Sequence, residues 1–197
     1  MFEFGTKAET LECLEGLIKS ARILPQYRFS VSAWQSGAEE IVDSIAEKNW
    51  LSDAVIVRSS AVDEDKINNS LAGKFVSVPD VSGAEALKSA VEAVINSFGD
   101  VPKKNNQIFV QPYLTDIAFS GVALTQEVGG GGHYFVVNYD DTDGRTDSVE
   151  GGLSGCLKTL YLHKGRGQNP PDRFCGVIEL LRELDSLIED VPLDVEF

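Results

Sequence analysis

Cysteine is scarce and unpatterned in this sequence. Cys13, Cys156 and Cys175 are odd in number and form no C-x-x-C pair, which argues against a disulfide framework or a cysteine-based zinc site. No run approaches the roughly eighteen uninterrupted apolar residues of a membrane helix. The opening MFEFGTKAET lacks the basic-then-apolar layout of a secretory signal, so a cytoplasmic location is expected. Positive charge is also in short supply. Seventeen Lys and Arg face thirty-one Asp and Glu, a formal charge of −14, and the body of such a protein repels nucleic acid and anionic membrane surfaces. There is no internal repeat, and low complexity is limited to Gly129–Gly132. What remains is an ordinary globular class: 197 residues, 43% of them hydrophobic, can bury a real core as one domain or two closely packed lobes.

What the chain does contain is periodic. Leu11, Leu14 and Ile18 recur at helical spacing and predict a first helix from about Lys7 to Ala21. Tyr27–Val31 reads as a strand, and a second helix from about Ser36 to Lys48 turns Ile41 and Ile45 inward. Asn49 and Asp53 bracket a turn into the strand Ala54–Val57, and Phe75–Val78 resumes strand character. Ser82-Gly83-Ala84-Glu85 has the S-x-x-E form of a capping box, ahead of a stripe of Leu87, Val91, Val94 and Phe98. Beyond polar Pro102–Asn106 the texture changes. Gln107–Tyr113, Ala118–Thr125, His133–Tyr139 and Leu157–Leu162 read as successive strands between glycine-rich turns, which predicts an antiparallel sheet. A last helix from about Pro171 to Glu189 carries Val177, Leu181, Leu184 and Ile188, and Pro192 ends it before a short strand at Leu193–Phe197. The fold class expected is α+β, with two lobes, residues 1–111 and 112–197, meeting near Gln111-Pro112.

One loop stands out. In VIVRSSAVDEDKINNSLAGKFVSV an apolar strand delivers Arg58 to the rim of a sheet, where its planar fork of donors can grip phosphate oxygens. Ser59 and Ser60 add hydroxyl and backbone donors beside it. The small residues of Ser70-Leu71-Ala72-Gly73-Lys74 let backbone N–H groups approach an anion, and Lys74 adds a point charge. These parts suit a polyphosphate. The same arginine would equally serve as a surface residue paired with Asp63, Glu64 or Asp65, and those acids read as a solvated run or as magnesium ligands.

Taken in order, FGTKAETLECL, VRSSAVDED, SLAGKF, VQPYL, FSGVALT and the closing LDVEF resemble the ATP-grasp nucleotide-binding domain of phosphoenolpyruvate synthase and pyruvate phosphate dikinase. Rifampicin phosphotransferase and an amide-phosphorylating glutamine kinase are cousins of that group. The resemblance spans nearly the whole chain and implies two lobes, each with a mainly antiparallel sheet and packed helices, that bind Mg-ATP in the cleft between them. It also implies roles. Lys7 and Arg58 match the family's phosphate-contacting, catalytic cations, and two cations from separate segments can neutralise a triphosphate. Lys7 opens a helix, whose free N–H groups and dipole also favour an anion. Ser70 to Phe75, including Gly73 and Lys74, matches the flap over the phosphates. Gln111 and Tyr113 fall in the segment that holds adenine, where unpaired strand backbone groups meet the base edge. Thr125 matches the S-G-V-x-x-T strand, whose hydroxyls face either the nucleotide or the sheet. Arg145–Gly152 corresponds to a segment closing over the site. Glu196 matches a metal ligand, and Asp194, two residues away on a strand, shares its face. Two such carboxylates repel unless a cation such as Mg2+ lies between them, or unless the strand is simply solvated.

The pattern also has departures. The family's next strand, with a glutamine and an arginine in an L-Q-x-R-like motif, is not in this sequence, so the fragment alone is expected not to be competent. Neither His133 nor His163 has the surroundings of the family's phosphorylatable histidine, and Gly129–Gly132, with no helix after it, reads as a hairpin rather than a phosphate cradle. The function expected is an ATP-dependent phosphotransferase domain. It would supply a phosphoryl group to a carrier histidine, its partner being a downstream phosphohistidine or acceptor-binding domain of the same polypeptide. The rival readings are a direct small-molecule kinase, a non-catalytic nucleotide-binding module, and an interaction domain that binds no nucleotide.

Overall fold

A computed structural model describes residues 2–61, 76–99, 104–127, 129–140, 158–165, 167–189 and 191–197. The chain divides into two compact units, one of residues 3–15 and 23–114, the other of residues 1–2, 16–22 and 115–197.

In the N-terminal unit the strands β1 (Tyr27–Ser30), β2 (Val55–Ser60), β3 (Val78–Val81) and β4 (Gln107–Pro112) form one sheet in the order β1-β4-β2-β3, every pair antiparallel. Helices α2 (Val31–Ala46) and α3 (Ala84–Ser97) cover one face of it. Alternation along β2 sends Val55 and Val57 into that core with Ile108 and Val110 of β4. The α3 stripe of Leu87, Val91 and Val94 is fully buried as its spacing predicts, each side chain contributing about 1.5–3 kcal/mol. Its expected capping box does not form. Gly83 is the N-cap, at φ +82°, and the Ser82 hydroxyl donates instead to the Asp53 carbonyl at 3.1 Å.

Two other boundaries move for local reasons. Helix α2 starts at Val31 rather than near Ser36, because the Ser30 hydroxyl accepts the Ala33 N–H at 3.1 Å, and extended Gly37 kinks the helix. Helix α1 (Lys7–Leu14) stops well short of Ala21, with Gly16 just beyond it in the left-handed region at φ +86°.

In the C-terminal unit β5 (Ser120–Leu124), β6 (Tyr134–Asp140), β7 (Lys158–His163) and β8 (Asp194–Glu196) form a second antiparallel sheet in the order β7-β6-β5-β8. Helix α4 (Cys175–Leu187) packs Ile178 and Leu181 onto Ala123, Val137 and Leu162. Edge-on rings of Phe119, Tyr139 and Phe174 close one end of this core, and the Arg173 guanidinium lies 4.7 Å from the Phe174 ring centroid. The α+β class and the antiparallel pairing are as expected, but Gln107–Pro112, read as the first strand of the second sheet, instead lies between β1 and β2 in the first. Among the described residues no helix is long and apolar enough to cross a membrane.

Candidate functional site

Because Val55 and Val57 face the helices, Ile56, Arg58 and Ser60 occupy the opposite face of the first sheet. Register extends that face across the strands. Arg58 lies opposite Phe109, Ser60 opposite Gln107 and Ile56 opposite Gln111, while Arg28 of β1 also pairs with Phe109. Polar and charged side chains therefore gather where a second apolar layer would otherwise be. The Arg58 guanidinium lies 5.8 Å from the Phe109 ring centroid.

Onto this face comes the first turn of α1. Ala8 is wholly buried, and its N–H donates to the hydroxyl of equally buried Ser60 at 2.9 Å. Its carbonyl accepts from Gln26 Nε2 at 2.7 Å. Thr6 caps the helix: its hydroxyl accepts the Glu9 N–H and donates to Gln107 Oε1 at 2.8 Å, and the Glu9 carboxylate accepts the Thr6 N–H at 3.0 Å. Gln107 Nε2 donates to Glu9 at 2.8 Å, and Arg28 bridges Glu9 at 3.1 Å and Glu12 at 2.7 Å. The Thr6 N–H, then Gln107 and Arg28, hold the Glu9 carboxyl below its ordinary range.

Lys7 stands between Thr6 and Ala8, so its backbone is fixed in this junction, two strand positions along from Arg58. The structure thus places the Lys7 main chain beside Ser60, two residues from Arg58 on β2. Three of the donors at this helix terminus are already engaged: Ser60 takes the Ala8 N–H, the Thr6 hydroxyl that of Glu9, and the Glu9 carboxylate that of Thr6.

Gln111 is buried on the same face, and its Nε2 donates to the Leu24 carbonyl at 3.3 Å. Tyr113 follows in the linking segment, where its N–H is taken by the Ala54 carbonyl at 2.9 Å and so is not offered to a base edge. Ser59 alternates to the other face, with Val55 and Val57, away from Arg58. Ser70, Gly73, Lys74, the acids at 63–65 and Arg145–Gly152 lie outside the described residues.

In the C-terminal unit Asp194 and Glu196 are exposed on one face of β8, with Val195 turned to the core. Glu196 lies opposite Val122 and Asp194 opposite Leu124. Both ends of this short strand are fastened to β5. Gly121 and Phe197 exchange backbone hydrogen bonds of 3.1 and 3.0 Å; Thr125 donates its N–H to the Leu193 carbonyl at 3.0 Å and accepts the Leu193 N–H on its hydroxyl at 2.8 Å. The Thr125 hydroxyl therefore holds the chain that carries the carboxylates. Asp140, opposite Ser120 on that same face, is buried, and the sequence reading passed over it. Its signal was an acid closing a mainly apolar strand. The Thr6-to-Glu9 capping box was also passed over, although T-x-x-E spells it as plainly as Ser82 to Glu85 does.

Among the described residues no group of three or more His, Cys, Asp or Glu is gathered as a metal site. Asp194 and Glu196 still suit Mg2+, which takes hard oxygen donors and commonly binds one or two carboxylates together with phosphate oxygens and water. His163 accepts the Gly165 N–H on Nδ1 at 3.0 Å and packs edge-on to Tyr134, as a turn histidine does.

Residues 30–100 match the family described as pyruvate phosphate dikinase, AMP/ATP-binding domain. Among solved structures the chain is similar to D-alanyl-alanine synthetase A from Vibrio cholerae O1 biovar eltor, with 12% identity, a TM-score of 0.51, and coverage of 97% of this chain and 50% of that one. It is also similar to ATP citrate lyase from Methanothrix soehngenii, with 11% identity, a TM-score of 0.52, and coverage of 96% and 45%. Identities so low speak for fold alone, and the fold is ATP-grasp. The chain spans about half the length of these structures. No curated protein matches it in sequence. Together the family match and the fold support nucleotide binding in an ATP-utilising enzyme family.

Proposed function

We propose that this ATP-grasp chain, similar over residues 30–100 to the AMP/ATP-binding domain of pyruvate phosphate dikinase, binds Mg-ATP as the nucleotide-binding part of a phosphotransferase. One observation carries the reading. Arg58 and the Lys7 backbone are mounted on a single polar sheet face, joined through the Ala8–Ser60 hydrogen bond. In phosphoryl transfer a protein contributes mainly position and charge, and two cations carried by one junction would contribute both. The acidic surface does not cancel them, since charges beyond a Debye length of about 10 Å are largely screened.

In this reading Lys7 and Arg58 contact the phosphates, with Ser70, Gly73 and Lys74 as a flap and Ser59 contributing from its backbone. Gln111 holds the adenine, and Tyr113 flanks it. Glu196 and Asp194 hold Mg2+, which neutralises charge on the phosphates; Thr125 acts on them through the β8 register. The phosphoryl group passes to a carrier histidine on another domain of the same polypeptide, since neither His133 nor His163 has the sequence surroundings of the family's carrier histidine, and the His163 ring is engaged by the Gly165 N–H of its own turn.

Calorimetric titration with Mg-ATP tests this. Arg58→Ala should weaken binding by roughly 10- to 100-fold, the worth of a charge-assisted contact, with the melting temperature of the unliganded protein little changed. Unaltered affinity would remove Arg58 from the site and the reading with it.

A further inference from the structure

Helix α1 is only eight residues long and buries a single residue, Ala8. A helix so short is marginal by itself, and with Leu11 and Leu14 only half-buried its apolar anchorage is slight. Its place on the sheet must therefore come from the polar bonds around its first turn. Besides Gln26 and Arg28, which reach in from β1 and the residue before it, those bonds come from one point in the sheet. Ser60 and Gln107 are directly opposed across β2 and β4; the first holds the Ala8 N–H, and the second joins Thr6 to Glu9. Arg58 lies on the same strand and the same face as Ser60, two residues back, about 7 Å along the strand.

We propose that Ser60 and Gln107 are positioning residues that set Lys7 at a fixed spacing from Arg58, so that the two cations meet one polyphosphate without reorganising. The inference rests on the phosphate-binding reading above and assigns the second serine of R-S-S a task other than touching the ligand. Within that motif the labour divides by strand alternation: Arg58 faces the ligand side, Ser59 turns to the core, and Ser60 returns to the ligand side to hold the segment bearing the other cation. Without the Ser60 hydroxyl the lysine is still present, but its main chain is no longer registered to β2, and ordering it falls to the ligand.

A double-mutant cycle tests the proposal, with Mg-ATP affinity measured by calorimetry on wild type, Ser60→Ala, Lys7→Ala and the double variant. Ser60→Ala should weaken binding about tenfold when Lys7 is present and less than about twofold when it is already alanine. Additive losses would overturn the positioning role while leaving nucleotide binding standing, because wild type would still bind. A wild-type chain with no affinity for Mg-ATP would overturn the phosphate reading and this inference together. Should Ser60→Ala fail to fold, Thr6 provides the same readout from the Gln107 side. Thr6→Ser, which keeps the hydroxyl, should bind within about twofold of wild type, and Thr6→Val about tenfold more weakly; equal affinities for the two would sink the proposal.

Discussion

The two units hold their candidate residues by opposite means. On the first sheet the segment bearing Lys7 is fastened by side chains, with Ser60, Gln107, Gln26 and Arg28 all reaching to one turn of helix. On the second, β8 is fastened by main chain, through the Gly121–Phe197 pair and the two Thr125–Leu193 bonds at its ends. A side-chain clamp can be loosened one atom at a time, each loss touching one bond. A register clamp is all or nothing, because a slip of one residue turns Asp194 and Glu196 toward the core and Val195 away from it. The first unit should therefore yield gradually to substitution and the second abruptly.

The sharpest break should come at Gly121. A Cβ built there would stand 2.1 Å from the Asn138 carbonyl oxygen and 2.9 Å from the Phe197 ring, so either β6 or β8 must move. Gly121→Ala should cost about 3 kcal/mol, lowering the melting temperature by about 6–12 °C. A melting curve within a degree or two of wild type would show that the strand pair tolerates the displacement and that the register is not rigid. Next in size is Thr125→Val, which keeps the shape and leaves the part-buried Leu193 N–H without its hydroxyl acceptor. A cost of about 1–3 kcal/mol follows from stranding such a donor, whereas Thr125→Ser should stay within about 0.5 kcal/mol. Chemical denaturation separates the two, and equal stabilities for both variants would mean that the hydroxyl adds nothing to the backbone pair.

The same contrast explains what could be read from the residues alone. Stripes such as Leu87, Val91 and Val94, and short apolar runs between turn residues such as those of β4 to β7, are local patterns, and the elements followed from them; which sheet β4 joins did not. Caps are local too, but degenerate. Both Ser82 to Glu85 and Thr6 to Glu9 spell a capping box, and only the second closes, because the Ser82 hydroxyl finds the Asp53 carbonyl first. Arg58 was legible as a cation next to an apolar strand, but that strand was expected to end at Val57, and it runs on to Ser60, so that Arg58 lies within it and alternation parts Ser59 from Ser60. That Ser60 accepts from Ala8 was not legible, since the bond joins residues fifty-two positions apart. The motif resemblance supplied Lys7 and Glu196 without the bonds that place either.

The smallest effect should be the pH dependence of the side-chain clamp. Glu9 has its carboxyl held down chiefly by the Thr6 N–H, then by Gln107 and Arg28. A carboxylate whose folded pKa is depressed adds stability that is fully present above its unfolded value of about 4.3 and is lost as the pH falls through the folded one. Over a third of the Glu9 side chain is exposed, at 37%, and solvent screening reduces the contribution. Glu9→Gln should therefore melt about a degree below wild type at neutral pH. The gap should close progressively below about pH 4.3 as the wild-type carboxylate is protonated. A gap that stayed constant down to about pH 3 would assign the difference to packing and cap geometry rather than to charge, since only the charge titrates there. In that case the network would hold Lys7 by shape alone, and the contrast with the backbone-fastened β8 would narrow to a single distinction, side chain against main chain.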